Sequence, residues 1–115
     1  MKLPVSEQKG ARVAQVTGRI DHALTEEFTQ ALKPLLDSCT AGQSALVLDF
    51  SGVVYISSAG LRVLMLAARQ AKAQRGHFAL AALTPLVQEV FTISRFNLIV
   101  PCYATVEAAC EVLGT

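Results

Sequence analysis

Residues 55–64 read YISSAGLRVL, which places two adjacent serines between an apolar run and a helical pattern. A serine on a sharp strand-to-helix turn is similar to the nucleophile of the G-x-S-x-G motif, but Ile56 stands where the first glycine belongs. A nucleophilic serine also needs a base, and the chain offers only His22 and His77. His22 could approach the turn, whereas His77 is expected at the opposite end of the fold. The residues therefore do not predict an enzyme.

The same turn could cap a helix or carry a phosphate. A cap needs one hydroxyl, which accepts a backbone N–H, so the second serine should be exposed. Ala59 and Gly60 would keep side-chain bulk away from Ser58 and let another protein approach. The free N–H groups and the positive dipole of a helix N-terminus favour an anion. Phosphorylation of Ser58, with Ser57 as the alternative, would then add charge to the surface without unfolding the domain.

Other classes of site have little support in the sequence. There is no GxxxxGK[ST] or GxGxxG motif for a nucleotide. The three cysteines (Cys39, Cys102 and Cys110) form no CxxC pair and have no partners at metal-ligand spacing. We therefore expect buried reduced thiols, no metal site and no cofactor.

Composition narrows the function classes further. The 115 residues are 52% hydrophobic and 17% charged, which predicts one compact domain over residues 1–115. A net charge of +1 without a basic cluster argues against a nucleic-acid partner. No apolar run approaches the roughly 18 residues of a membrane span, and the first ten residues lack a signal core. We expect a cytoplasmic monomer that inserts into no membrane directly.

Apolar periodicity and turn residues predict the elements that position the serine turn. A leading hairpin turns at Lys9-Gly10, and Ala45–Leu48 reads as a buried central strand before Ser51-Gly52. Pro34 should kink or divide the first helix near Lys33. VVYI leads from the break at Ser51-Gly52 to the serine pair. Further strands are predicted at HFALAAL and LIVPCY, and further helices after Ser58, Thr84 and Thr105. The order β-β-α-β-α-β-α-β-α predicts an α/β fold, with a mixed, mostly parallel sheet of about five strands and four helices.

The helix after the serines has two distinct faces. Its core face is predicted to hold Leu61, Leu64, Ala68 and Ala71. Arg62 and Arg69, seven residues apart, lie on another face with Leu66 beside them. An apolar contact between two cations beside Ser58 would suit partner docking, because arginine is favoured at interfaces.

At this point the sequence resembles a known family. DFSGVVYISSAGLRVL is similar to the signature of STAS-domain anti-sigma factor antagonists, in which the serine before a small residue and Gly-Leu is phosphorylated. VTGRIDHALTEEF and the segment from GHFALAAL to ATVEAA extend the resemblance over nearly the whole chain. Many members have Asp where this chain has Ser57, although the SSAG variant is also common among relatives.

The resemblance implies a STAS domain that acts by partner switching. The unphosphorylated protein would bind an anti-sigma factor, itself a serine kinase, and so release a sigma factor. Phosphorylation of Ser58 would break that complex, and a PP2C-type phosphatase would reset it. By position, Asp21 matches an acid that supports the phosphorylation site, and Asp49 matches the acid that ends the third strand. Asp49 could equally stabilise a turn.

One alternative shares the fold but needs no phosphorylation. A STAS domain can also be a structural interaction subunit of a membrane lipid-transport complex or another transporter. The intact serine motif favours the switch, since a transporter subunit has less need of an open Ser58.

Overall fold

A computed structural model of the chain describes residues 1–114. The sheet contains five strands: β1 (Val5–Gln8), β2 (Ala11–Ile20), β3 (Leu46–Ile56), β4 (Phe78–Ala81) and β5 (Cys102–Tyr103). Four α-helices follow the order predicted from the sequence: α1 (Thr25–Asp37), α2 (Ser58–Ala73), α3 (Pro85–Ile93) and α4 (Val106–Leu113). Two one-turn 3-10 helices, His22–Leu24 and Phe96–Leu98, lie between these elements.

The strands follow one another across the sheet in the order β1-β2-β3-β4-β5. β1 is antiparallel to β2, and every other neighbouring pair is parallel. Lys9 and Gly10 join the hairpin with φ values of 50° and 84°, the left-handed conformation that a tight hairpin turn requires. Both predictions, the hairpin at Lys9-Gly10 and the mixed, mostly parallel sheet, are therefore confirmed.

Helices cover the sheet on both faces. The three crossover helices α1, α2 and α3 share one large core with the sheet, because right-handed crossovers that advance in one direction lie on one side. Phe91 of α3 stands edge-on to Phe50 of β3, with ring centroids 6.4 Å apart. A smaller core on the other face forms where α4 packs on Val13, Val47 and Ala81.

β3 is longer than the sequence predicts. It continues through Ser51-Gly52 to Ile56, and its pairing with β2 shifts register twice on the way. Asp49 lies inside the strand and its Oδ1 accepts the Ser51 N–H at 2.9 Å, so Asp49 stabilises a local turn and does not end β3. The extra residue of a bulge lets a strand pass a turn-like sequence without leaving the sheet.

The helix ends also differ from simple expectation. Asp21 caps the 3-10 turn at His22–Leu24, because the Leu24 N–H donates to Asp21 Oδ1 at 3.3 Å. Helix α1 begins only after that turn. α1 then runs past Pro34 to Asp37, so proline does not divide the helix at Lys33. Only one intrahelical hydrogen bond is lost, because the one missing donor is the backbone N–H of the proline itself.

β5 is shorter than the predicted strand LIVPCY. Residues 96–98 form a 3-10 turn, and only Cys102–Tyr103 pairs with β4. β5 is the edge strand of the sheet, where the missing N–H of Pro101 is tolerated.

Candidate functional site

Ser57 joins β3 to α2 and is committed to structure. Its backbone is extended (φ −87°, ψ 169°), and its Oγ accepts the Gly60 N–H at 3.1 Å, which makes it the N-cap of α2. Its own N–H donates to the carbonyl oxygen of Ile20 at 2.9 Å, and this bond ties the turn to the end of β2. The hydroxyl of Ser57 is therefore engaged and half-buried.

Ser58 is the first residue of α2 and is exposed. Within residues 1–114, its hydroxyl forms no hydrogen bond, in contrast to the hydroxyl of Ser57. The N–H groups of Ser58 and Ala59 belong to the first turn, where no intrahelical acceptor exists. An uncommitted hydroxyl thus projects from a helix end whose N–H groups favour negative charge.

Gly60 is buried, and the reason for a glycine here is packing. A Cβ on Gly60 would lie 2.8 Å from Ile56 Cγ1, 2.9 Å from Ile20 Cγ2 and 3.1 Å from the Ile20 carbonyl oxygen. The first turn of α2 therefore needs glycine in order to lie against the ends of β2 and β3. The sequence predicts that Gly60 clears an approach to Ser58, but Gly60 is buried, and half-buried Ala59 is the small residue on that side.

Asp21 lies beside the turn through the sheet register. Ile20 pairs with Ile56 at the parallel ends of β2 and β3, so the next residues, Asp21 and Ser57, follow side by side. The half-buried carboxylate of Asp21 accepts the Leu24 N–H and orders the 3-10 turn next to α2. Asp21 thereby supports the backbone to which Ser57 is bonded.

The three residues predicted for docking are all exposed on α2. We call Arg62, Leu66 and Arg69 the α2 patch. Leu66 is 50% exposed and borders a shallow groove of about 80 Å³ between α1 and α2. Of the predicted core face, Leu64 and Ala71 are buried and Leu61 and Ala68 are half-buried. The fold therefore brings an apolar side chain and two cations to the same helix that presents Ser58.

Neither histidine stands as a base for a nucleophilic serine. His22 is exposed in the 3-10 turn, and no hydrogen bond joins it to Ser58 within the described residues. His77 precedes β4, whose Phe78 pairs with Leu46 at the start of β3, so it lies at the end of the sheet opposite Ser58. A pocket of about 440 Å³ is lined by residues of other elements, such as Gln88 and Tyr103.

Metal and membrane features are also absent from the described part of the chain. Residues 1–114 contain no group of three or more His, Cys, Asp or Glu side chains that could hold a metal ion. Over the same residues, no helix is both long and apolar enough to cross a bilayer.

The cysteines are free thiols. Cys39 and Cys110 are buried, and desolvation raises the pKa of each thiol. Cys102 is half-buried on β5, and burial raises its pKa to about 11. All three therefore stay protonated at neutral pH, as expected for structural cysteines.

One neighbouring contact has no signal in the sequence. Arg19 and Tyr55 are paired at the ends of β2 and β3, and the Arg19 guanidinium carbon lies 4.5 Å from the centre of the Tyr55 ring. This cation–π contact sits two residues before Ser57. It depends on two register shifts, so residue spacing alone could not have revealed it.

Comparisons with known proteins show the family to which the chain belongs. The family model described as "Mlab, STAS domain" matches residues 4–101. BtrV of Bordetella bronchiseptica, named as a candidate anti-sigma factor antagonist, is 37% identical over 115 residues, which cover 100% of this chain and 97% of BtrV.

Solved structures share the fold. An anti-sigma factor antagonist from Mycobacterium paratuberculosis has a TM-score of 0.85 at 23% identity, covering 97% of this chain and 92% of that one. The phosphorylated form of Bacillus SpoIIAA has a TM-score of 0.66 at 18% identity, covering 96% and 97% of the two chains. Since the model match spans most of the chain and the BtrV alignment spans all of it, the chain belongs to the STAS-domain family of anti-sigma factor antagonists.

Proposed function

We propose that this protein antagonises an anti-sigma factor and that phosphorylation of Ser58 switches the interaction. The observation that carries the proposal is the difference between the two serine hydroxyls in the turn. Ser57 caps α2 through Gly60 N–H, whereas the hydroxyl of Ser58 is exposed and uncommitted. A kinase can reach such a hydroxyl without breaking a structural contact.

The chemistry at Ser58 is phosphoryl transfer by a partner enzyme. The Ser58 Oγ attacks the γ-phosphorus of ATP, the bond from that phosphorus to the β–γ bridging oxygen breaks, and ADP leaves. The hydroxyl proton passes to a base of the kinase. A PP2C-type phosphatase reverses the modification when water attacks the phosphorus and the Ser58 Oγ leaves. This chain contributes the acceptor and its position, and the kinase and phosphatase contribute catalysis.

Binding would use the α2 patch. The anti-sigma factor is proposed to cover Ser58 together with Arg62, Leu66 and Arg69, all of them exposed on one helix. A phosphate adds nearly two negative charges inside that footprint. Desolvating those charges in the complex is costly, so the complex dissociates while the fold is kept.

The decisive experiment is phosphorylation by the cognate anti-sigma factor kinase. Incubation with the kinase and MgATP, followed by intact mass and site mapping, should show one added phosphate on Ser58. Ser58→Ala should abolish the gain, and Ser57→Ala serves as the matched control that retains it. No gain with a verified kinase partner would overturn the switch and favour the transporter-subunit alternative. A phosphate mapped to Ser57 would reassign the acceptor.

The docking surface is tested separately. Arg62→Glu should weaken binding to the anti-sigma factor by about tenfold or more, because it reverses a charge inside the proposed interface. Arg95→Glu is the control, since Arg95 is exposed beyond the far end of α3, away from Ser58. Equal affinities for a folded Arg62→Glu protein and the parent would refute this role for the α2 patch.

A further inference from the structure

Arg62 lies one helical turn beyond Ser58 on α2. Side chains four residues apart on a helix project from the same face, with Cβ atoms about 5–6 Å apart. Both residues are exposed, so solvent-side rotamers are open to each of them. Any group attached to the Ser58 oxygen is therefore within reach of the Arg62 guanidinium.

The Arg62 guanidinium is not engaged elsewhere in the described chain. The two salt bridges found within residues 1–114 join Lys9 to Glu111 and Lys33 to Asp37. Arg62 donates no hydrogen bond to a residue in that range, in contrast to Arg12, which donates to the Leu35 carbonyl oxygen. Its neighbours one turn away on α2 carry no acidic group: Ser58, Ala59, Met65 and Leu66. No carboxylate on α2 would therefore compete with a phosphate on Ser58 for the Arg62 guanidinium.

We propose that a phosphate on Ser58 forms an ion pair with Arg62 and thereby withdraws Arg62 from the α2 patch. This inference rests on the proposed function, because it takes Ser58 as the modified residue. The guanidinium presents two parallel N–H donors that match two phosphate oxygens. The orientation is the favourable one for a helix, with the negative group four residues before the cation and nearer the N-terminus.

The pair gives phosphorylation two effects on a partner. The phosphate adds negative charge at Ser58, and the captured arginine is no longer free to contact the partner's surface. Both effects are confined to the first two turns of α2, so the switch requires no rearrangement of the sheet. Arg69, nearly two turns beyond Arg62, remains available because it lies about 16 Å along the axis from Ser58.

The ion pair can be measured without any kinase. Phosphoserine is incorporated at position 58 during translation, and ³¹P NMR follows the second ionisation of the phosphate, which has a pKa of about 6. A nearby cation stabilises the dianion and lowers this pKa, so removing the cation raises it. Arg62→Gln should raise the pKa by about 0.3 units, the size expected for a helical i,i+4 pair. Arg69→Gln removes the same charge from the same helix and should change it by less than about 0.1 units.

Two further titrations sharpen the result. Arg62→Lys keeps the positive charge but loses the two parallel N–H donors of the guanidinium, so it should keep part of the depression of the phosphate pKa. Raising the salt concentration to 1 M should shrink the difference between the parent and Arg62→Gln. The inference is overturned if Arg62→Gln and Arg69→Gln shift the pKa equally, because the effect would then be long-range charge and not a pair.

Withdrawal of Arg62 is tested by binding. Affinity for the anti-sigma factor is measured with and without phosphoserine 58, in Arg62→Gln and in Arg69→Gln. Phosphorylation should weaken binding by a factor about fivefold smaller in Arg62→Gln, since that variant has no arginine to lose. Equal factors would refute withdrawal. These outcomes are separate from the proposed function, which fails if the kinase leaves Ser58 unmodified or if phosphorylation does not weaken binding in the parent protein.

Discussion

At the residue scale, two neighbouring serines have different surroundings. Ser57 accepts the Gly60 N–H and donates its own N–H to Ile20, so two bonds define its place. Ser58 is the next residue, yet it has turned into the helix and faces solvent. Substitution of the two hydroxyls should therefore have different consequences for stability and for regulation.

Ser57→Ala should lower the free energy of unfolding by about 1 kcal/mol, the usual cost of losing a serine N-cap. Ser58→Ala, the matched control one residue later, should stay within about 0.5 kcal/mol of the parent because an exposed hydroxyl is lost. Urea unfolding monitored by circular dichroism measures both. A larger loss for Ser58→Ala than for Ser57→Ala would reverse the assignment of the cap.

Gly60→Ala should also destabilise the protein, by about 1 kcal/mol. Alanine gains about 1 kcal/mol in helix propensity over glycine. Overpacking against Ile20 and Ile56 costs about 1–3 kcal/mol, since the new Cβ would lie within 3 Å of both side chains. Thermal unfolding of this variant, beside Ala59→Gly as a propensity control, checks the balance. A stabilised Gly60→Ala protein would show that α2 can move away from the sheet at no cost.

At the element scale, α1 shows tertiary packing overriding a local signal. Phe28, Leu32 and Leu36 are buried on one face, and Pro34 points to solvent. The buried face extends beyond the proline, so packing holds the last turn in place despite the missing N–H. A helix boundary predicted from proline alone fails here because local propensity is a weak term beside burial.

Pro34→Ala should therefore raise the free energy of unfolding by about 2 kcal/mol. The substitution restores an intrahelical N–H and removes a residue that costs about 3 kcal/mol in a helix interior, less the rigidity that proline gives the unfolded chain. Gln30→Ala, exposed on the same helix, is the control and should change stability by less than about 0.5 kcal/mol. Denaturant unfolding of both variants and the parent measures these differences in the free energy of unfolding. A loss of stability in Pro34→Ala would mean that α1 is built around the proline.

β3 shows the limit of prediction at the same scale. Ser51-Gly52 has turn composition, yet the strand continues to Ile56 because β2 pairs with it across two register shifts. Gly52 faces Thr17, whose Cγ2 would lie 2.7 Å from an added Cβ. The glycine thus marks close contact between strands and not a chain reversal. A glycine at a chain reversal and a glycine at a close strand contact look alike in the sequence. Only the position of the partner strand, more than 30 residues away in the chain, distinguishes them.

At the scale of the whole molecule, the candidate site lies at the carboxyl end of the central strand of the sheet. Ser58 follows the end of central β3, and the core beneath α2 is continuous with those of α1 and α3. A charge added at such an exposed helix start should change the surface without changing the fold.

Ser58→Asp tests this separation of surface from fold. The free energy of unfolding of the variant should be within about 0.5 kcal/mol of that of the parent, since an acidic residue in the first turn interacts favourably with the helix dipole. Its affinity for the anti-sigma factor should fall by about tenfold or more, measured by calorimetry. Ser6→Asp on β1 places the same charge on another exposed serine and should bind as the parent does. Full-strength binding by Ser58→Asp would count against release by charge.

The sequence by itself determined the element order, the hairpin turn, the α3 start at Thr84-Pro85 and the motif around Ser58. These features depend on residues close together in the chain, whose periodicity and backbone preferences act locally. The resemblance to the antagonist family was equally a property of the linear sequence, and the family match confirms it.

Tertiary structure alone decided that Ser57 is tied to Ile20, why Gly60 is a glycine, how far β3 extends and that Arg19 stacks on Tyr55. Each of these depends on the register between β2 and β3 or on the docking of α2 onto their ends. Such contacts join residues more than 30 positions apart, and one-residue changes in register would move every side chain to the opposite face. The sequence could therefore locate the serine turn and favour Ser58 as its open hydroxyl, whereas the bond from Ser57 to Ile20 and the close packing of Gly60 emerge only from the packed sheet.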